Sequence, residues 1–440
     1  MNPLLLKIFR FKNRFRPSQL NGSLTPYDAL KLAAYLILHY PLDLLLDVKK
    51  YEDAVSVITG AKYVFALGSG RMGLYMLLKA LDLPSESEII VPGYTCVVIP
   101  NAIRFAECKP VYVDINLNDF NMDPDAIEAA ITPTTKAVLL QHTYGIPADI
   151  DRVREICNER KLFLIEDATH ALGAVYGDRS IGQWGDAAIF STETSKMIST
   201  DRGGILVTNN KEIANKIKIL YDQLPIRSMA VERISCIRII YNIFVNEPAL
   251  GGRIKRLLKI LLGRIGTYFS FREGLDFPSY DRSEKNAELD GSFYSLYPRR
   301  LSGILSKIGL WQIKRLSTDL ANRREKALLL ENILSKYGVA IPLYDKGKCR
   351  PSFLNFPFLV DSREKWQKEF NRLNINASGY LMDPLHPPET TCHAINGYIW
   401  GSCKNAEYVS SHILNLPLNR TMTKSMIGRL HDISFDKISE

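Results

Sequence analysis

The stretch AAIFSTETSKMISTDRGGILVT, residues 187–208, holds two short apolar runs, AAIF and ILVT, joined by a loop rich in small hydroxyl residues. Neither run alternates polar with apolar positions, which is the pattern of strands buried on both faces of a mostly parallel sheet. One lysine, Lys196, stands inside the loop, and the pair Gly203–Gly204 opens the second run. Lysine ordinarily stays in solvent, so the surroundings of this one decide what it is for.

Outward from this stretch the same alternation continues. Strands are predicted at EIIVP (88–92), PVYVDI (110–115), KAVLLQ (136–141) and KLFLIED (161–167). Helical periods lie between and after them, at 71–83, 95–106, 123–131, 149–160 and 213–224. Buried strands alternating with helices predict an α/β domain over 51–225, preceded by a basic arm and helix over 1–50. Residues 226–290 form a basic amphipathic insert outside that alternation. A long helical connection over 291–338 ends at Gly338. Residues 339–440 read as a smaller α+β domain, with strands VAIPLY and SFLNFPFLV and the helix EKWQKEFNRLN.

Composition narrows the class. The 440 residues are 46% apolar and 23% charged, ordinary for a protein with a sizeable core. No apolar run reaches the length of a membrane-spanning helix, and the N-terminus has no secretory cleavage pattern. Seven cysteines, at 96, 108, 157, 236, 349, 392 and 403, form no CxxC pair. They point to a reducing, cytoplasmic setting and away from a metal site. The net charge of +9 is concentrated in the additions. Lys7, Arg10, Lys12, Arg14 and Arg16 precede residue 20 without an acid, and Arg253, Lys255, Arg256, Lys259 and Arg264 lie among leucines and isoleucines over 251–266.

Ligands of open α/β sheets bind beyond the carboxyl ends of the strands. GSGRMG (68–73) follows one apolar run and opens a helix, whose first N–H groups offer a seat to phosphate. Taken alone it is an ordinary glycine-rich turn. Asp167 ends KLFLIED, either as a cap or as a partner for a buried cationic ring nitrogen. His170 follows it, and Ser191 ends AAIF. Lys196, desolvated at a strand end, is expected to have a lowered pKa and to suit Schiff-base formation. An acid and a lysine twenty-nine residues apart on neighbouring strand ends match what pyridoxal phosphate requires of a protein.

The segments EIIVPGYTCVVIPNAI, FLIEDATHALGAVYGDRSIGQWGDAAIFS and SKMISTDRGGILVTNN resemble the DegT/StrS-type aminotransferases. These are pyridoxal-phosphate enzymes of fold type I, acting mostly on nucleotide-linked keto-sugars. The resemblance implies a large domain with a mostly parallel mixed sheet between helices and a smaller C-terminal α+β domain. It implies Lys196 as Schiff-base lysine and proton-transfer base, Asp167 on the pyridinium nitrogen, and His170 on the ring or its phenolic oxygen. Ser191 and the backbone of Gly70, Arg71 and Met72 would hold the phosphate. It further implies a homodimer with the site at the interface, a residue near 297–300 reaching across. Glutamate would be the amino donor and a nucleotide-linked sugar the keto acceptor, in surface-polysaccharide or secondary-metabolite assembly.

Three positions depart from the family pattern: Arg71 replaces a threonine, Cys96 an aromatic, and Pro298 an asparagine. They leave two alternatives, a dehydratase or eliminase on the same cofactor and a non-catalytic sensor or scaffold. Lys196 counts against the first, since dehydratases of the family typically carry histidine there. The segments 1–20 and 251–266 resemble basic amphipathic elements that lie on anionic membranes; the other reading packs their apolar faces on the protein. Nucleic-acid binding is not expected, because aromatic residues at base-stacking spacing are absent.

Overall fold

A computed structural model describes residues 23–41, 45–226, 228–245, 247, 291–293, 299–377, 380–386 and 390–433. The segments 1–20 and 251–266 and the departure at Pro298 therefore lie outside the described residues. The main sheet has seven strands: β1 (Tyr63–Leu67), β2 (Glu88–Pro92), β3 (Lys109–Val113), β4 (Thr135–Gln141), β5 (Phe163–Asp167), β6 (Ala187–Ser191) and β7 (Gly204–Thr208). Their spatial order is β1-β7-β6-β5-β4-β2-β3. The five strands from β6 to β3 are parallel, and β7 runs antiparallel to both β6 and β1. The sheet is thus mixed because AAIF and ILVT form neighbouring antiparallel strands, joined by the lysine loop rather than by a crossover helix.

Helices cover both faces. In chain order they are α1 (Pro26–Ile37), α2 (Leu45–Thr59), α3 (Gly70–Leu81), α4 (Val98–Phe105), α5 (Pro124–Ala129), α6 (Ile150–Arg160), α7 (Lys211–Asp222) and α8 (Met229–Val245). Successive residues of a strand point to opposite sides. Ile189 and Leu206 accordingly join Leu74, Leu77, Ile103 and Ile217 on one face. Ala188, Phe190, Ile205 and Val207 join Tyr51, Val55, Val153 and Ile308 on the other. The apolar runs are continuous because both faces are buried.

The long helical connection is two helices, α9 (Gly303–Ile313) and α10 (Leu316–Leu334). A short 3-10 turn then runs into Gly338, which takes a left-handed φ of 67°. Beyond it, β8 (Asn355–Leu359) and β9 (Ile413–Pro417) pair antiparallel, under α11 (Arg363–Arg372), which buries Trp366 and Phe370. VAIPLY does not form the strand expected of it. It makes one isolated bridge, Ala340 to Leu359, and Pro342, lacking an N–H, interrupts any longer ladder.

Two joins set up the site. Thr95–Cys96 and Leu385–His386 pair in parallel, with Thr95 N–H donating to Pro384 O at 2.8 Å and Val97 N–H to His386 O at 2.9 Å. This carries a C-terminal segment to the carboxyl ends of the main strands. Elsewhere α1 packs along α8, so the helix after the basic arm and the helix that begins the basic insert form one layer.

Candidate active site

The lysine loop is held from several sides. Thr192 N–H donates to Gly203 O at 2.9 Å, Thr200 N–H to Thr192 O at 2.8 Å, and the two threonine hydroxyls lie 2.7 Å apart. Added Cβ atoms at Gly203 would lie 2.3 Å from both hydroxyl oxygens. Gln312 of α9 clamps the loop through both ends of its amide, accepting from Ser199 N–H at 2.9 Å and donating to Ser199 O at 2.7 Å. Arg238 of α8 pairs with buried Asp201. The small hydroxyl residues of the opening stretch are thus the closures of a fixed loop.

Lys196 is 8% exposed, and its Nζ donates to the Tyr380 hydroxyl at 2.9 Å. Its pKa is not lowered as expected. Burial pulls it down, but the Tyr380 oxygen and the Glu193 carboxylate outweigh burial and hold it above the usual lysine range. Asp167 is buried at the end of β5, and one oxygen accepts Thr169 N–H at 3.0 Å. It therefore caps a turn and still presents a carboxylate at the strand end. Burial raises its pKa against the opposing pull of Thr169 and Lys196, a penalty that a cationic ring nitrogen would relieve.

His170 follows on the turn after β5. Tyr144 N–H reaches its Nδ1 at 3.3 Å, and its Nε2 lies 3.1 Å from the Tyr380 hydroxyl. Burial, with Lys196 second, pushes its pKa well below the usual range. The ring is neutral, accepts at Nδ1 and donates from Nε2–H to Tyr380. Beneath the site His142 and Glu166 are both fully buried, 3.3 Å apart. Glu166 also accepts backbone N–H bonds from Gly182, Trp184 and Gly185 at 2.8–2.9 Å.

The first turn of α3 lies directly on β6 and β7. An added Cβ at Gly204 would sit 2.1 Å from Ser69 C, and one at Gly70 would sit 3.3 Å from Ser191 Cβ. Glycine at both places brings the helix N-terminus and Ser191 together as an anion cradle. Ser69 is the N-cap, and its hydroxyl accepts Met72 N–H at 3.4 Å. The Met72 donor expected to face phosphate is thus already engaged. Arg71 lines an apolar recess with Tyr75, Val98, Phe105 and Phe293. Cys96 is half-buried, and burial lifts its thiol above the usual range despite nearby Lys196 and Arg71.

The structure thus brings Lys196, Asp167, His170, Ser191, Cys96 and the α3 N-terminus to one end of the sheet. It adds Tyr380 and His386, which the sequence reading missed. His386 leaves Nδ1 buried without a hydrogen-bond partner. Tyr380 stands 184 residues from Lys196 in a segment without helical or alternating periodicity, so no local signal marked it. A buried acid at one strand end, a buried lysine beyond the next and a glycine-made anion cradle between them fit a phosphorylated pyridine aldehyde. No cluster of histidine, cysteine, aspartate or glutamate suited to a metal occurs among the described residues.

Comparison with known proteins agrees with this geometry. A family model described as the DegT/DnrJ/EryC1/StrS aminotransferase family matches residues 46–230 and 282–433. The uncharacterized protein MJ1066 of Methanocaldococcus jannaschii is 29% identical over 385 residues, 85% of each chain. GDP-perosamine synthase of Caulobacter vibrioides is 35% identical over 176 residues, 40% of this chain and 47% of that protein. Among solved structures, the sugar aminotransferase CalS13 of Micromonospora echinospora superposes with a TM-score of 0.69 at 19% identity, covering 95% of this chain and 98% of that one. The fold is that of the type I pyridoxal-phosphate transferases.

Proposed function

Because the chain belongs to the DegT/DnrJ/EryC1/StrS aminotransferase family, and is a pyridoxal-phosphate-dependent aminotransferase, we propose that it moves an amino group from glutamate to the keto group of a nucleotide-linked sugar. Lys196 and Asp167, buried together at neighbouring strand ends, carry this reading. Asp167 would pair with the cofactor's ring nitrogen, Ser191 and the backbone N–H groups of Gly70 and Arg71 would seat its phosphate, and His170 would lie beside the ring. When bound, the cofactor supplies an aldehyde for amine exchange and an electron sink for the substrate carbanion. Lys196 would hold the aldehyde and, as a free amine, would move the proton at the donor's α-carbon and at the acceptor carbon. Because the keto product of the donor would leave before the acceptor binds, the kinetics expected are ping-pong.

The test is incubation with glutamate and a panel of nucleotide-linked keto-sugars, with 2-oxoglutarate and amino sugar as the readouts. One equivalent of 2-oxoglutarate per site in every mixture, with continued turnover and amino sugar from one keto-sugar, is the expected result. Formation of neither contradicts the reading, and release of ammonia favours elimination chemistry instead.

The proposal extends to assembly and location. The site is placed at a homodimer interface on the family resemblance; Arg299 and Arg300 themselves bond within their own chain, Gly68 N–H donating to Arg299 O and Arg300 N–H to Pro225 O, both at 3.0 Å. A dimer is expected in gel filtration. The enzyme is cytoplasmic and meets an anionic membrane surface through 1–20 and 251–266. No helix among the described residues is long and apolar enough to cross a membrane. Two observations support the surface contact. The family match omits 1–45 and 231–281, the regions that carry the basic segments. On α1, which packs along α8, Tyr27, Leu30, Ile37 and neighbouring Leu38 are 60–75% exposed. Sedimentation with anionic but not neutral vesicles at physiological salt is expected; no sedimentation with either contradicts the contact.

A further inference from the structure

Tyr380 stands at the centre of the polar contacts around Lys196, although nothing about its place in the sequence marks it. Its backbone carbonyl is fixed twice, accepting from the Tyr144 hydroxyl at 2.9 Å and from Asn415 Nδ2 at 3.0 Å. Tyr144 is itself fully buried and lies 2.7 Å from the Tyr94 hydroxyl. Its own hydrogen goes to the Tyr380 carbonyl, so Tyr94 is the donor of that pair. Five and six residues further on, the Leu385–His386 pairing with Thr95–Cys96 anchors the same segment. The phenol is therefore held against the main sheet by backbone bonds, and its position does not depend on the lysine.

The hydrogen atoms at the phenol oxygen can be counted. Tyr144 N–H on Nδ1 and deep burial leave His170 neutral with its hydrogen on Nε2. Nε2–H then donates to Tyr380 Oη, as does Lys196 Nζ. A hydroxyl oxygen has two lone pairs, and these two donors use both. Tyr380 keeps its own hydrogen, since burial raises its pKa above the usual phenol range despite the opposing pull of Lys196. That hydrogen must point away from both Lys196 and His170, as a donor for an oxygen that enters the site.

We propose that Tyr380 is a positioning residue of the active site: its phenol oxygen holds Nζ of Lys196 in place on the large-sheet side, and its hydroxyl hydrogen is offered to an oxygen of the bound substrate or cofactor. This rests on the reading of Lys196 as the cofactor-bearing lysine. The consequence is specific to the amine. Burial alone depresses a lysine; the phenol oxygen of Tyr380, accepting from Nζ at 2.9 Å, favours the charged amine and opposes burial at Lys196. Removing the hydroxyl while keeping the ring leaves burial unopposed by it.

The experiment is competitive acetylation of the full-length apoprotein across a pH series, with mass spectrometry of the Lys196 peptide. It reads the protonation of Nζ without cofactor or turnover. In Tyr380→Phe the Lys196 midpoint falls by about one pH unit or more, roughly a tenfold gain in free amine at neutral pH. The kcat of the same variant falls about tenfold or more, because the amine is no longer held. Tyr380→His, which keeps a ring nitrogen able to accept from Nζ, restores part of the midpoint. Lys326 is the internal control for folding. It is buried, donates to Leu418 O and Asn419 O, and its pKa is pushed down to about 8 by burial and Arg323. Its midpoint stays low while the C-terminal part is folded. Should Tyr380→Phe lose that signature, Tyr380→His carries the test, with a Lys196 midpoint between wild type and ordinary buried lysine expected. A Lys196 midpoint that matches wild type in a folded variant overturns the proposal. Failure of the underlying reading shows separately, as wild-type protein that develops no visible band with pyridoxal phosphate.

Discussion

Gly204 shows how narrowly the site is built at the level of single residues. A Cβ there would press on the backbone of Ser69 at 2.1 Å, and backbone cannot swing aside as a side chain can. Gly204→Ala is expected to destabilise the fold by about 1–3 kcal/mol and to weaken cofactor capture by moving α3 off β6. Urea unfolding and a pyridoxal-phosphate titration check this; unchanged capture would show that the α3–β7 contact does not shape the cradle. Asp167, Ser191 and Lys196 were legible in the sequence because each sits at or just past the end of an apolar run, where the strand itself positions the side chain. The depressed pKa foreseen for Lys196 was not borne out, because its phenol partner comes from a segment far along the chain. Tyr380 was invisible for the same reason, since no local pattern reports a contact made across 184 residues.

Among the elements, the lysine loop depends on helices outside the sheet. Asp201 has a positive φ of 66° and is fully buried, and Arg238 of α8 neutralises it. Arg238→Met would leave a buried carboxylate without its cation, a loss of about 3–5 kcal/mol. Slower cofactor capture should accompany the lower urea midpoint, and an unchanged midpoint would contradict the account of the clamp. The start of α1 is held in a related way. Burial pushes the Asp28 pKa up, but Arg315 and Thr25 outweigh it and leave the carboxyl below its usual range. A depressed folded-state pKa means stability that is complete above the unfolded value and lost as pH falls through the folded one. Asp28→Asn should therefore be less stable than wild type at neutral pH, with the difference closing below about pH 4. A pH-independent difference would assign the loss to packing instead. Apart from VAIPLY, the helices and strands named from the sequence were readable from periodicity, including the stop at Gly338. What periodicity did not show was direction: AAIF and ILVT look alike in composition whether parallel or antiparallel, and the short loop between them was the one available clue.

At the scale of the whole molecule, the residues with family counterparts make the sheet, its helices and the site, while the additions make a layer from α1 and α8. The cysteines whose side chains are described, Cys96, Cys108, Cys157, Cys236, Cys349 and Cys403, are all free thiols. The uneven charge was also legible there, but its partner was not, because a cationic apolar segment reads alike whether it covers protein or lipid. On the membrane reading, Leu30→Glu with Ile37→Glu should reduce sedimentation with anionic vesicles about tenfold or more and leave cofactor capture intact. Full sedimentation of that variant would remove α1 from the contact.

The central claim is that Lys196 is a buried amine set to hold an aldehyde, and a visible absorption spectrum tests it most directly. Purified protein would be mixed with pyridoxal phosphate and recorded before and after glutamate, beside Lys196→Ala. The account predicts a visible band that bleaches with glutamate and is missing from the variant. A band equally strong in Lys196→Ala, or no band in the wild type, would contradict it.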